Sequence, residues 1–248
     1  MDPIREPAEP VVAIDELTDP KALECPTAAA ITTIAQAHEH DAAVEYFSKG
    51  GHSKEFSKAL LEMLRLRHTY QIHELSQFKC VAFVLDSADR DQPGHANELQ
   101  LDEQAVAAAL EEGSVEKLGA LGMPQPRAKF EVLLKPEQRD TFWEAFAAAE
   151  ARLTAFVKEH GPVLQLAFLG WQGPPGGWVE KMLQHLVKVA DAQRKWIYYE
   201  TAAPAGGEEA ESFSKHGFQE MGEHPVGQGS GAPVLRVLAR PPGAAKEQ

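Results

Sequence analysis

The run PVLQLAFLG at 162–170 constrains the fold more than any other stretch of this chain. Almost every residue in it is apolar, so a strand made from it is buried on both faces and needs helices or further strands to cover it. A Gly/Pro loop, WQGPPGGW, follows at once. A helix over about 178–192 comes next, then the strand KWIYYET, a short helix in EEAESFSKHG and a closing strand PVLRVLAR. The last third therefore alternates strand and helix, the signature of an α/β fold.

The rest of the chain reads as a frame for that unit. VVAIDEL at 11–17 has strand-like content. Over 27–48, Ile31, Ile34, Ala35, Val44 and Phe47 fall at spacings that predict one or two helices packed on a core. Gly50 and Gly51 break the pattern, Ser53 is placed to cap a new helix, and Phe56, Leu60, Leu61 and Leu64 mark its apolar face. QIHEL and FKCVAFVLD read as a hairpin turning at Ser76 and Gln77. Residues 104–112 are expected to be helical, LGALGMPQPRAKFEVLLKP irregular, and 137–160 a helix with a stripe of Phe142, Phe146, Ala149, Leu153, Phe156 and Val157. These elements predict a single domain over 11–241 with a helical insertion at about 104–160. A proline-rich leader at 1–10 and a tail at 242–248 are expected to be disordered.

Charge and cysteine usage exclude several classes of function. With 37 acidic against 24 basic residues the formal charge is −13, the wrong sign for a surface that neutralises phosphates, so neither nucleic acid nor an anionic membrane is an expected partner. Two cysteines, Cys25 and Cys80, match neither a disulfide framework nor a zinc motif, which points to a cytoplasmic setting. No apolar run approaches the roughly 18 residues of a membrane span. His38 and His40 stand two apart and diverge on a helix, and His68 and His73 have no acidic third ligand fixed by spacing, so no metal site is expected. No G-x-S-x-G element or Walker loop is present.

Residues 163–241, and above all HGFQEMGE at 216–223 preceded by the strand, the Gly-rich turn and the helix, resemble the C-terminal half of the GNAT (GCN-related N-acetyltransferase) superfamily, in its small-molecule branch. The resemblance implies a central mixed, mostly antiparallel sheet flanked by helices, with two strands splayed apart. It implies acetyl-CoA or another acyl-CoA as cosubstrate, its pantetheine arm along the strand edge at Leu169 and Gly170. It also implies a pyrophosphate on backbone N–H groups at Gln172, Gly176, Gly177 and Trp178, where a helix N-terminus offers orphan donors and a positive dipole end.

Two departures from the family pattern stand out. Its loop reads R/Q-x-x-G-x-G/A, but with Gln172 in first position Pro175 falls on the first glycine, and Pro174 and Pro175 carry no N–H. The loop reads either as a weakened anion site, with Gly176, Gly177 and Trp178 still donating, or as a tight turn that binds nothing. In the motif Y-x-x-x-G-F, Phe213 replaces the tyrosine whose phenol, near pKa 10, is suited to protonating a thiolate with a reference value of about 8.5. Such an acid contributes about 10²–10⁴-fold to rate.

The remaining chemistry lies on strand 196–201. Alternation puts Trp196, Tyr198 and Glu200 on one face and Ile197, Tyr199 and Thr201 on the other. Because the resemblance puts the end of this strand at the cleft, Glu200 is the candidate general base or substrate-positioning carboxylate, or else a solvated strand-end glutamate. Tyr198 and Tyr199 are candidates for the missing acid, or buried packing residues. His216 is either near the cleft or a charge partner of a helix C-terminus. Two classes of function follow. One is acyl-CoA-dependent N-acyl transfer to a small molecule, with a cationic amine favoured by the acidic chain. The other is a GNAT fold turned to a different small-molecule reaction (cyclisation, dehydration or isomerisation) or to ligand binding without catalysis.

Overall fold

The computed structural model describes residues 12–13, 24–65, 71–75, 80–89, 102–172, 176–202, 208–227 and 231–243. Seven strands form one sheet: β1 (Val12–Ala13), β2 (Gln71–Leu75), β3 (Cys80–Asp86), β4 (Val163–Trp171), β5 (Trp196–Thr201), β6 (Gln219–Pro225) and β7 (Val234–Arg240). Their order is β1-β2-β3-β4-β5-β7-β6, and every neighbouring pair is antiparallel except β4 with β5. Nine helices flank the sheet among the described residues: α1 (Glu24–Ala37), α2 (Ala42–Phe47), α3 (Ser53–Arg65), α4 (Glu103–Glu111), α5 (Val115–Ala120), α6 (Gln125–Glu131), α7 (Arg139–His160), α8 (Gly176–Gln193) and α9 (Glu208–Lys215). This is a mixed, mostly antiparallel sheet between helices, the architecture expected from the sequence.

Alternation along β3 divides the core. Val81, Phe83 and Leu85 face a layer that includes Ile31, Ile34, Phe56, Leu61, Phe130 and Phe142, from α1, α3, α6 and α7. Cys80, Ala82 and Val84 face the other way, with Leu164, Leu166 and Leu169 of β4, onto Val179, Met182, Leu183 and Leu186 of α8. The end of α7 makes a third cluster, Leu153 and Phe156 against Tyr198, Val237 and Ala239.

One irregularity in β4 positions everything that follows. Against β3 the register runs Phe83↔Phe168 and then Val84↔Leu166, leaving Ala167 as an extra residue, a β-bulge. A bulge bends its strand and adds twist. The parallel pairing of β4 with β5 runs from Val163↔Trp196 to Leu166↔Tyr199 and stops there, although β4 continues to Trp171 and β5 to Thr201. The strands part at the bulge.

The structure departs from the sequence expectations in several places. The stretch expected to be irregular, 118–136, contains the end of α5 and all of α6. Ser114 caps α5 by accepting from Lys117 N at 3.2 Å, and Pro126 sits in the first turn of α6, where its missing N–H costs nothing. QEMGEHP, not foreseen as a strand, is β6. It lies at the sheet edge, mostly exposed and polar, and a bulge at Met221 interrupts the alternation that would have revealed it. Leu75 pairs with Cys80, as a hairpin of β2 and β3 requires, and the turn expected at Ser76 and Gln77 lies outside the described residues. Ser53 is the first residue of α3 rather than its cap, and its hydroxyl meets Ser48 Oγ at 3.3 Å. In β4, Ala167 and Phe168 are half-buried where the strands have parted, and Gln165 is half-buried while still paired with Tyr198.

Candidate functional site

Where β4 and β5 part, a cavity of about 230 Å³ opens on the side covered by α1, α3 and α7. Its wall is aromatic: Phe47, Phe56, Phe142, Phe146 and Phe168. Phe142 stands edge-on to Phe47 at 5.2 Å and to Phe56 at 6.2 Å, which ties the α7 stripe to α2 and α3. Polar groups border the same cavity: His38 and Asp41 from the turn between α1 and α2, and Tyr199, Glu200 and Thr201 from the free end of β5.

That turn is held by local chemistry. Asp41 Oδ1 accepts from Ala43 N at 2.8 Å and Val44 N at 3.2 Å, capping α2. Its other oxygen, Oδ2, lies 3.7 Å from His38 Nδ1, and His38 Nε2 is 3.0 Å from the Leu169 carbonyl, three residues beyond the last β4–β5 pair. The His38 side chain is 20% exposed. Burial works to lower its pKa, but Asp41, the Leu169 carbonyl and the charge of Glu209 outweigh burial and raise it. Burial works to raise Asp41, and the contact with His38 together with the two backbone donors holds it below the ordinary carboxylate range. From the opposite side, Tyr199 Oη donates to Glu209 Oε1 at 3.3 Å. Burial, with the neighbouring Glu209 charge, raises the phenol well above its usual value, and burial also raises Glu209.

The residues expected from sequence divide into three groups. Glu200 borders the cavity and is 13% exposed, with its carboxylate already engaged. It accepts from Arg152 Nε at 3.1 Å, from Arg152 Nη2 at 2.8 Å and from Tyr198 Oη at 2.5 Å. Tyr198 is buried against Phe156 (5.1 Å), its phenol raised by burial and by Glu200. Tyr199 faces the other side, as alternation requires, and joins the His38 cluster.

In the second group α1 covers the end of β4. A Cβ on Gly170 would lie 2.6 Å from Ile34 Cα, and Gln172 Nε2 donates to Thr33 Oγ1 at 3.3 Å. Leu169 is fully buried. The third group lies on the α8 side. Gly176 and Gly177 open α8, whose first turn has no acidic residue, and the space beside Gly177 is open. Trp178 is half-buried with Lys181 Nζ 4.9 Å from its ring. Phe213 is 1% exposed, stacked on Tyr199 at 5.0 Å and edge-on to Phe218 at 4.8 Å. Pro174 and Pro175 lie outside the described residues. His216 directly follows α9, with Nδ1 2.8 Å from Ser212 O and Nε2 3.6 Å from Glu180. Among the described residues no group of His, Cys, Asp and Glu could hold a metal ion, and no helix is long and apolar enough to cross a membrane.

The sequence matches no protein-family model and no curated protein. Among solved structures it is similar to arylalkylamine N-acetyltransferase 2 from Aedes aegypti, with a TM-score of 0.44 and 11% identity over 86% of this chain and 93% of that one. At that distance the likeness says nothing of substrate.

Three members of the cluster escaped the sequence reading: His38, Asp41 and Glu209. Asp41 carried a signal, an N-cap residue directly before an apolar helical run. His38 drew notice only as half of a diverging histidine pair, and Glu209 had no local mark at all.

Proposed function

We propose that the chain is an acyl-CoA-dependent N-acyltransferase acting on a small amine with an apolar body, working in the cytoplasm. The observation that carries this reading is the parted β4–β5 pair, which opens onto an aromatic cavity bordered by acidic side chains. An apolar cavity of about 150 Å³ binds benzene, so one of about 230 Å³ accommodates an aryl or short alkyl group. Asp41 and Glu200 at its border suit the ammonium end. With its oxygens held by Arg152 and Tyr198, Glu200 fits the positioning role better than that of a base.

For acetyl-CoA or another acyl-CoA, the residues present offer a partial fit. The start of α8 at Gly176 and Gly177 has the donors, the open space and the absence of carboxylates that a pyrophosphate requires. When bound, the acyl-CoA supplies an activated acyl carbon, and the chain's own groups orient the amine against it.

A thermal-shift titration with acetyl-CoA and free CoA tests the reading. A ligand at about 100 times its Kd stabilises by roughly 2.7 kcal/mol, which for a chain of this length is a Tm rise of about 5–10 °C. No shift up to millimolar CoA would overturn it.

A second reading, a GNAT-like fold with a different reaction or with binding alone, is favoured by one observation. Helix α1 and the turn after it already engage the stretch of β4 assigned by resemblance to the pantetheine arm, through Ile34 at Gly170 and His38 at Leu169, and Thr33 meets Gln172, which the resemblance assigns to the pyrophosphate. It predicts a flat response to CoA and a shift with small apolar ligands that enter the cavity.

A further inference from the structure

The ring of His38 lies between two acceptors. Nε2 is 3.0 Å from a carbonyl, which can only accept, and Nδ1 is 3.7 Å from the Asp41 carboxylate. A neutral ring that donates from Nε2 turns the lone pair of Nδ1 toward a negative charge. The imidazolium satisfies both contacts, a donor to the carbonyl and an ion pair with the carboxylate.

The other groups around it act in the same direction or leave it unopposed. Glu209 approaches from α9, with Tyr199 of β5 hydrogen-bonded to it, and the Phe168 ring of β4 stands edge-on to the imidazole at 6.1 Å. Arg236 of β7 acts on Glu209, and its guanidinium is engaged by Glu220. A cation with transferable protons is therefore held at the point where β4 has left β5. Phe213, the position at which the family motif carries its phenol, is packed behind Tyr199.

The structure assigns to His38 the role of proton donor to the departing thiolate, an assignment that rests on the acyltransferase reading. In the step, the amine nitrogen bonds to the acyl carbon while the C–S bond breaks and its electron pair goes to sulfur. The imidazolium gives one proton to that sulfur. The proton shed by the amine nitrogen passes through solvent and restores the imidazolium, so amine and thioester become amide and thiol with no other reactant.

Two variants and one spectrum test this. His38→Gln keeps an amide donor for the Leu169 carbonyl and removes the acid. It is expected to lower kcat for acetyl transfer from acetyl-CoA to benzylamine or hexylamine by about 100-fold or more, while CoA affinity stays within twofold. Asp41→Asn keeps the α2 cap and removes the charge that favours the imidazolium, so the alkaline fall of kcat moves to lower pH. If His38→Gln does not fold, Asp41→Asn still decides the matter, because an unmoved alkaline limb overturns the role.

Independently of turnover, nitrogen-detected NMR of the free protein is expected to show both His38 ring nitrogens protonated at pH 7. A neutral ring there overturns the assignment. So does His38→Gln transferring at the wild-type rate with CoA binding intact, a result that leaves the acyltransferase reading standing. If the wild type binds no CoA and acetylates neither amine, that reading falls and the role of His38 falls with it.

Discussion

Arg240 is the most heavily committed charge in the described residues, and replacing its partner by Asp191→Asn should be costly. The side chain is 0% exposed, yet it lies at the end of the closing strand. Nη1 and Nη2 donate to the two oxygens of Asp191 at 2.7 and 3.0 Å, Nε donates to His216 O at 2.9 Å, and Nη1 also reaches Pro241 O at 3.2 Å. Asp191 accepts from Gly243 N at 2.7 Å as well. One guanidinium thus joins the last turn of α8, the exit of α9 and the end of β7. Asparagine keeps the shape but leaves the buried cation facing neutral groups, one of them a second donor.

Removing one partner of a buried pair costs about 3–5 kcal/mol. The Asp191 side chain is 28% exposed, and water on that flank screens part of the loss, so the lower end, about 3 kcal/mol, is expected. That is a Tm fall of about 6–12 °C, and in urea a lower midpoint with unchanged slope. The hydrogen bonds from Arg240, and after them the one from Gly243, hold the Asp191 carboxyl below its ordinary range against a smaller opposing effect of burial. A carboxylate with a depressed folded pKa stabilises above its unfolded value, about 3.9, and the contribution fades as pH falls through the folded value. The gap between wild type and variant should therefore hold constant from pH 8 to 5 and narrow below about pH 4. Adding Arg240→Met to the variant should recover part of the loss, since the unpaired charge is then gone. A gap under about 1 kcal/mol at pH 7, or one that acid leaves unchanged, would refute the reasoning.

Two further substitutions probe the site. Gly170→Ala puts a methyl 2.6 Å from Ile34 Cα and 2.9 Å from its Cγ1. The nearer atom is backbone, so α1 must shift off β4, at a cost of about 1–3 kcal/mol in urea melts that trimming Ile34 to Ala does not restore. Phe213→Tyr adds a hydroxyl where the ring is packed between Tyr199, stacked on it, and Phe218, edge-on to it. It should destabilise by about 1–3 kcal/mol and leave the acetyl-transfer rate no higher than wild type. A faster variant would return the acid role to position 213.

Local patterns carried much of the architecture. Although burial of β4 on both faces did not hold beyond its first residues, the existence of that strand, the α7 stripe and the alternation of Tyr198, Tyr199 and Glu200 read correctly, because a strand or helix repeats its burial at a period set by its own geometry. The short helices α5 and α6 did not, since each offers too few turns for a period to emerge and proline and glycine punctuate the stretch. Edge strand β6 failed for the opposite reason, with almost no apolar face to detect.

By itself the sequence determined the succession of β4, α8, β5, α9 and β7, though not β6 between the last two, together with the two faces of β5 and the departures at Pro174, Pro175 and Phe213, each a property of residues close together in the chain. Only the tertiary structure decided where the gap opens, because the bulge at Ala167 exists only in register with β3. Tertiary structure also decided what the gap contains. Arg152 reaches Glu200 from another element, and His38, Asp41, Tyr199 and Glu209 converge from the α1–α2 turn, β5 and α9. No local period encodes such a meeting, since these charges are brought together by the packing of the helices on the sheet and shift one another's protonation only once they are there.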